Sequence, residues 1–482
     1  MITLTEQKEV QTSRNSKENF FAILRQGYIL VFLSYLMLSK MLPVPIFLTD
    51  GVNSMIYNVL AGVGCLLCVY SIFRAGKRFF CLENLLLSAF LAVCVLSSLL
   101  NIKYGIANNA KTIVWTAIQF FLLYGISWKL TGEEIKTEFY RLTNVLSVIW
   151  FCGIAVSLYQ FLFQIEYVIP YQEYSRRQGF MDERLFGIFT DPNFAAVTSV
   201  CVIVFSLLAF RRSHSRPVRV FHVVNCVFQF LYIVLSGSRT AELAGLVAAF
   251  LYMFGYLHRK MQKKELPQAK KILLPLAGAL LCCVIVAAGV EATKYVSSYV
   301  PRLVSGNVTH QPVDLHREDV EESSDISNLR IEIWTDVITI WSSKPIFGVS
   351  PRNLTVYAQD KFPNLFLSKR GYAAHNGYLA VLAGVGLAGS LVMLAFIVIS
   401  LRKIFLYMKK KFAAGIPTFD MICLILLTVI AVSALTLQDI FFVNSLNTAL
   451  FWLILGYLIQ TVKRESAGKA APLSSCAGEL KK

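Results

Sequence analysis

Long apolar runs, several of 18 or more residues with almost no charge, recur along this chain from residue 27 to residue 460. A run of that length is what an α-helix needs to cross the ~30 Å hydrocarbon core of a bilayer. They predict an all-α polytopic membrane protein with about 12 transmembrane helices, at 27–47, 55–73, 84–100, 112–128, 143–163, 192–210, 218–236, 239–257, 272–291, 376–400, 419–437 and 441–460. The composition agrees, with 56% hydrophobic residues and a mean hydropathy of +0.58. The first 24 residues are polar and have no apolar core, which argues against a cleaved signal peptide.

The formal charge is +17, and its distribution decides what it means. With the N-terminus in the cytoplasm and sides alternating across twelve spans, 30 Lys and Arg fall in cytoplasmic segments, 15 in outer segments, and Lys40 inside the first span. This positive-inside asymmetry orients a membrane protein. It brings the chain into contact with anionic membrane lipid, and no nucleic-acid partner is needed to explain it.

The expected organisation is a cytoplasmic tail over 1–24, helices 1–9 over 25–291, an extracytoplasmic loop over 292–374, helices 10–12 over 375–462 and a cytoplasmic tail over 463–482. No cysteine of the eleven lies in the long loop, so no disulfide framework is expected; the Cys65/Cys68 pair sits in an apolar run and reads as packing. Within the loop, "DLHREDVEESSD" (314–325) reads as solvated linker. The next stretch places Leu329, Ile333, Val337 and Trp341 on one stripe, an amphipathic helix of about four turns ending near Pro345 that lies on the membrane face or caps the bundle. No internal repeat or broken helix pair is evident, which counts weakly against a transporter.

Four places have residues suited to chemistry. His375 stands at the mouth of the tenth span, where a neutral imidazole can take a proton from a hydroxyl. The plainer reading is that His375 or Asn376 caps a helix. Arg239, in "SGSRTAELAGL", begins the eighth span; a charge buried at mid-depth costs ~2.5–3.5 kcal/mol, so it needs a partner. Glu242 on the same face is one candidate, and an anion held by the arginine and the helix N-terminus is the other. Arg184 precedes "DPN", a helix-start signal whose plain reading is a capped helix beside a solvated arginine. Arg330 precedes Gly348 across the loop helix, a weak signal alone. All four fall on the same expected face. Three arginines and one base at a membrane mouth suit a lipid-linked diphosphate, its phosphates gripped by guanidinium forks.

In order, "RLFGIFTDPNFAA", "SGSRTAELA", "LRIEIWTDVITIWSSKPIFGVSPRN" and "HNGYLAVLAGVGLAGSLVML" resemble the O-antigen ligase / Wzy-type polysaccharide polymerase superfamily over residues 184–394. The resemblance implies a membrane glycosyltransferase of the C-type class, with an undecaprenyl-diphosphate-linked glycan as donor and neither metal nor cofactor required. It implies His375 as the base, Arg239, Arg184 and Arg330 as diphosphate ligands, Asn376 and Glu242 as supporting residues, and other polysaccharide export proteins as candidate partners. The chain departs from the family at Glu242, where an apolar residue is usual; the carboxylate either orients Arg239 or neutralises it.

The leading expectation is polymerisation of flipped, lipid-linked repeats into a surface polysaccharide on the outer face of a bacterial plasma membrane. Ligation of a finished glycan to a surface acceptor is the alternative with the same chemistry. A transporter or flippase, a third reading, needs ionisable residues lining a mid-membrane path, and only Lys40, Glu242 and His222 come near that. A non-enzymatic scaffold is a fourth.

Overall fold

The computed structural model describes residues 4–125, 130–171, 174–305, 312–315 and 329–468. It is an all-α polytopic membrane protein with one small sheet. The bundle comprises α1 (Leu4–Leu38), α2 (Pro43–Phe47), α3 (Asp50–Ala75), α4 (Leu82–Leu100), α5 (Ala107–Ile118), α6 (Gly132–Leu162), α7 (Pro192–Arg212), α8 (Arg216–Leu235), α9 (Arg239–Gln262) and α10 (Gln268–Ser305). Three loop helices follow, α11 (Arg330–Ser342), α12 (Leu354–Lys361) and α13 (Phe366–Arg370), then α14 (Gly377–Phe412), α15 (Thr418–Ser433) and α16 (Leu446–Gly468).

Among the described residues ten helices, not twelve, are long and apolar enough to cross a membrane. Of the other two expected spans, one is helical but changes type, α5 passing directly into a π-turn over Gln119–Tyr124. The other is α15, whose 16 residues rise only about 24 Å. The first expected span also ends early: α1 stops at Leu38, leaving Lys40 in the turn after it. At the far boundary, α10 runs on to Ser305, beyond the expected loop start at 292. The acidic linker falls almost entirely outside the described residues, as do His310 and His316.

Burial orders the bundle. The apolar stretch of α7 is 78% buried and that of α16 83%, against 11% for α10. The first two are therefore interior helices, and α10 is an edge helix whose apolar surface suits lipid. Polar groups join helices inside the bundle: Trp150 of α6 donates to Ser199 of α7 (3.1 Å) and Asn225 of α8 to Ser206 of α7 (2.9 Å), with Gln229 donating to Asn225 (2.7 Å) within α8. At one end of the bundle Arg25 pairs with Glu138, which also accepts from the Tyr457 hydroxyl at 2.5 Å, tying α1, α6 and α16 together. The loop helices lie at the opposite end, termed the loop end.

The connection after α6 is a sheet rather than irregular loop. Strands β1 (Glu166–Tyr171), β2 (Tyr174–Met181) and β3 (Arg184–Gly187) pair antiparallel in that order. Beyond β3, Met41 bridges Phe189, and Leu42 N–H donates to Ile188 O (2.7 Å), so the turn after α1 is sewn to the chain entering α7.

The loop helix α11 caps the bundle, but its buried stripe is Ile333, Asp336, Val337 and Ile340. Leu329 takes a left-handed conformation just outside the helix, and Trp341 turns aside to donate to Pro345 O (3.2 Å). Residues 345–350 then enter the bundle. The tenth span, expected to be continuous, breaks at Gly386, and the loop takes up the freed backbone groups: Val349 N–H donates to Ala383 O (2.8 Å), Ser350 N–H to Gly384 O (2.9 Å), and Leu387 N–H to Pro345 O (2.8 Å). Non-helical backbone is tolerated at membrane depth only where protein satisfies it in this way. Gly386 has φ +60°, and a Cβ there would lie 2.4 Å from Ile346 backbone atoms. Gly386→Ala is therefore expected to destabilise the docked loop by about 1–3 kcal/mol or more. A lower melting temperature and faster proteolysis between residues 343 and 376 would register it.

Candidate active site

The helix starts at the loop end place most of the candidate residues. Asp191 caps α7, its Oδ1 accepting from the N–H groups of Asn193 (2.8 Å) and Phe194 (3.4 Å). Ser238 caps α9 by accepting from Ala241 N–H (3.4 Å), and Gly237, at φ +58°, makes the turn before it. Asn376 caps α14, accepting from Tyr378 N–H (2.9 Å) and Leu379 N–H (3.0 Å), while its amide donates to Leu435 O (3.0 Å). The capping role at this mouth thus belongs to Asn376 and leaves the His375 ring free of it.

Arg184, on β3, links two of these starts. Its Nε donates to Ser236 O (2.9 Å), three residues before Arg239, and a terminal nitrogen donates to Asn193 Oδ1 (3.0 Å). It is therefore a buttressed side chain, not a solvated one. Arg239 occupies the first residue of α9, where the positive end of the helix dipole favours an anion. The start of α9 connects to that of α14 through Thr240, which shares a 2.7 Å hydrogen bond with Thr436, the neighbour of Leu435. Glu242 makes an ion pair with Lys294 of α10 at 3.5 Å, so its carboxylate has a cation besides Arg239 to serve.

His375 joins the same cluster. Its backbone holds φ +44°, a region most side chains avoid, and Tyr372 packs edge-on against the ring at 5.8 Å. The side chain is open to solvent on one edge, yet it is surrounded closely enough that burial is the main influence on its acidity. Burial lowers the imidazole below its ordinary 6.5; the nearby Asp191 carboxylate opposes this and the Arg330 guanidinium adds to it. Asp191 and Arg330 are thus each close enough to act on His375. Arg184, Arg239, Arg330 and His375 all lie at the loop end: Arg184 between the starts of α7 and α9, Arg239 at the first residue of α9, and Arg330 near His375.

Sequence reasoning missed two contributors. Lys40, in the turn after α1, lies beside this cluster, with Asp191, Asp439 and Arg176 as its charged neighbours. Asp439, between α15 and α16, is buried and accepts from Ser445 (2.9 Å), Asn447 (3.1 Å) and Ser433 (3.4 Å). Each was visible as a lone charge in or beside an apolar run, a position expensive enough to demand a reason.

Residues 224–394 match the family model Wzy_C, described as O-antigen ligase. The match begins in α8 and ends in α14, and includes Arg239, Glu242, Arg330, His375 and Asn376; Arg184 lies upstream of it. This part of the chain is similar to the O-antigen ligase family, and the similarity supports a multi-pass membrane protein with a polysaccharide-related, glycosyltransferase-like function. No curated protein matches the chain.

Proposed function

We propose that the protein polymerises undecaprenyl-diphosphate-linked oligosaccharide repeats on the outer face of a bacterial plasma membrane, with both termini cytoplasmic. The observation that carries this reading is that Arg184 ties the start of α7 to the turn before Arg239, while Asp191 of the α7 cap and Arg330 neighbour His375, all at the end of the bundle bearing the long loop. The arginines hold the diphosphate of the donor. His375 takes the proton of the acceptor hydroxyl as its oxygen bonds to the anomeric carbon. The carbon–oxygen bond to the phosphate breaks, and its electron pair stays on the diphosphate, where the guanidinium charges stabilise it. In this scheme the arginines supply the positive charge, with no metal and no cofactor. Asn376 fixes the backbone beside the base.

Ligation of a finished glycan uses the same steps with another acceptor. Purified protein in liposomes containing lipid-linked repeats separates the two: a ladder of longer lipid-linked products is expected of a polymerase, and transfer only to an added second acceptor overturns that choice. Transport has less support. Lys40 lies in a turn, Glu242 is paired with Lys294, and His222 is buried against Ser206 (3.3 Å), so the three do not line a common path.

A pH prediction follows from the charges around His375. A base must be neutral, so the rate should rise with pH along a limb set by the imidazole, below the ordinary 6.5. Arg330→Gln removes a cation that lowers this value, and the limb should move to higher pH. Asp191→Asn removes an anion that raises it, and the limb should move to lower pH; asparagine keeps the helix cap. Profiles of residual rate against pH check both shifts, and two unmoved limbs would assign the limb to another group.

A further inference from the structure

We infer that Lys40 and Arg176 together hold one phosphate of the donor, a contact outside the four sequence motifs; the inference rests on the site being a lipid-diphosphate site. Lys40 is held in place by its backbone. Its carbonyl accepts from Thr190 N–H (2.9 Å), two residues after it Leu42 is bonded to Ile188, and its ammonium stands 5.3 Å over the Phe194 ring. Phe194 follows Asn193, the acceptor for Arg184. The ammonium therefore sits against the first turn of α7, whose cap Asp191 is one of its charged neighbours.

What marks the place as a binding site is missing acceptors. Among the described residues the Lys40 ammonium makes neither a hydrogen bond nor an ion pair within 4.0 Å. The Arg176 Nε, on β2, is buried with no hydrogen-bond partner, and the two cations are close enough to repel. The nearby carboxylates are engaged elsewhere: Asp191 with the first N–H groups of α7, Asp439 with Ser445, Asn447 and Ser433. Unsatisfied cationic donors inside a protein are costly. A phosphate between them supplies the oxygens both lack, as short charge-assisted hydrogen bonds. As the glycosidic bond breaks, charge grows on the diphosphate, and these contacts strengthen with it.

The test is binding of farnesyl diphosphate, farnesyl monophosphate and inorganic pyrophosphate to the purified full-length protein in micelles. Wild type should prefer farnesyl diphosphate. Lys40→Met should weaken its binding by about tenfold or more, affect the monophosphate less, and leave the melting temperature in place; Lys40→Arg should stay within a few-fold of wild type. Inorganic pyrophosphate should bind more weakly, with the same Lys40 dependence. A folded Lys40→Met protein that binds farnesyl diphosphate like wild type overturns the inference. If Lys40→Met does not fold, Arg176→Gln decides: a tenfold loss supports the pair, and unchanged binding overturns it. Arg239→Ala separates the two levels. If it weakens binding while the Lys40 and Arg176 variants do not, this inference alone falls; if none of the three weakens binding, the diphosphate reading falls too.

Discussion

Replacing His375 by alanine is expected to slow glycan transfer by about 10²–10⁴-fold, the usual contribution of a positioned base, with the amount of folded protein unchanged. Two observations support the second half. The helix cap at this mouth is the Asn376 side chain, which the substitution does not touch. The His375 ring is open to solvent on one edge, so its removal leaves no large cavity. The φ of +44° does introduce a complication, since alanine disfavours that region. His375→Asn is the cleaner partner variant, because asparagine tolerates the left-handed conformation and has no basic nitrogen. Both variants should lose activity to a similar extent. The check is rate of transfer per amount of membrane protein; retention of activity in the asparagine variant would remove the base role from this residue.

Arg239→Lys is expected to lose most activity even though the charge is kept, by roughly 10–100-fold, the worth of one charge-assisted hydrogen bond. The reason is geometric. A guanidinium offers a planar fork to two phosphate oxygens, and an ammonium at the end of a flexible stem does not. The position magnifies the difference, because the first residue of α9 stands at the positive end of the helix dipole. Arg184 holds the preceding turn through Ser236 O, so the backbone should survive the substitution. Steady-state kinetics with a lipid-linked donor check this. An interaction made mainly with the leaving diphosphate lowers kcat, whereas ground-state binding alone raises KM. A fully active lysine variant would mean that charge, rather than the fork, is what the site uses.

The apolar periodicity made the membrane architecture legible, because crossing lipid demands long uncharged runs. It did not make the count legible. The 16 residues of α15 and the α-to-π change after Ile118 lie inside runs that look long enough on composition alone. The break at Gly386 was hidden for a related reason: "AGVGLAG" is apolar on both sides, and only the arrival of residues 345–350 from the loop makes a non-helical glycine affordable. Motif order singles out Arg184, Arg239, Arg330 and His375 as candidates, yet not what holds them. The Ser236 contact of Arg184 spans 52 residues in sequence, and the Asn376 contact with Leu435 spans 59. Such long-range pairings leave no local pattern. An apolar run surrounds Lys40, so composition alone puts it inside a span; the turn after Leu38 and the strand-like pairing with residues 188–190 put it at the mouth.

The most direct test of glycan transfer through this site is a gel profile of surface polysaccharide and lipid-linked glycan from a deletion strain, complemented with wild type or with the His375→Asn variant. Lipid-linked single repeats should accumulate in the deletion strain, wild type should restore long chains, and the variant, present at normal level, should leave the repeats unjoined. A deletion strain whose profile matches the parent would contradict glycan transfer through this site.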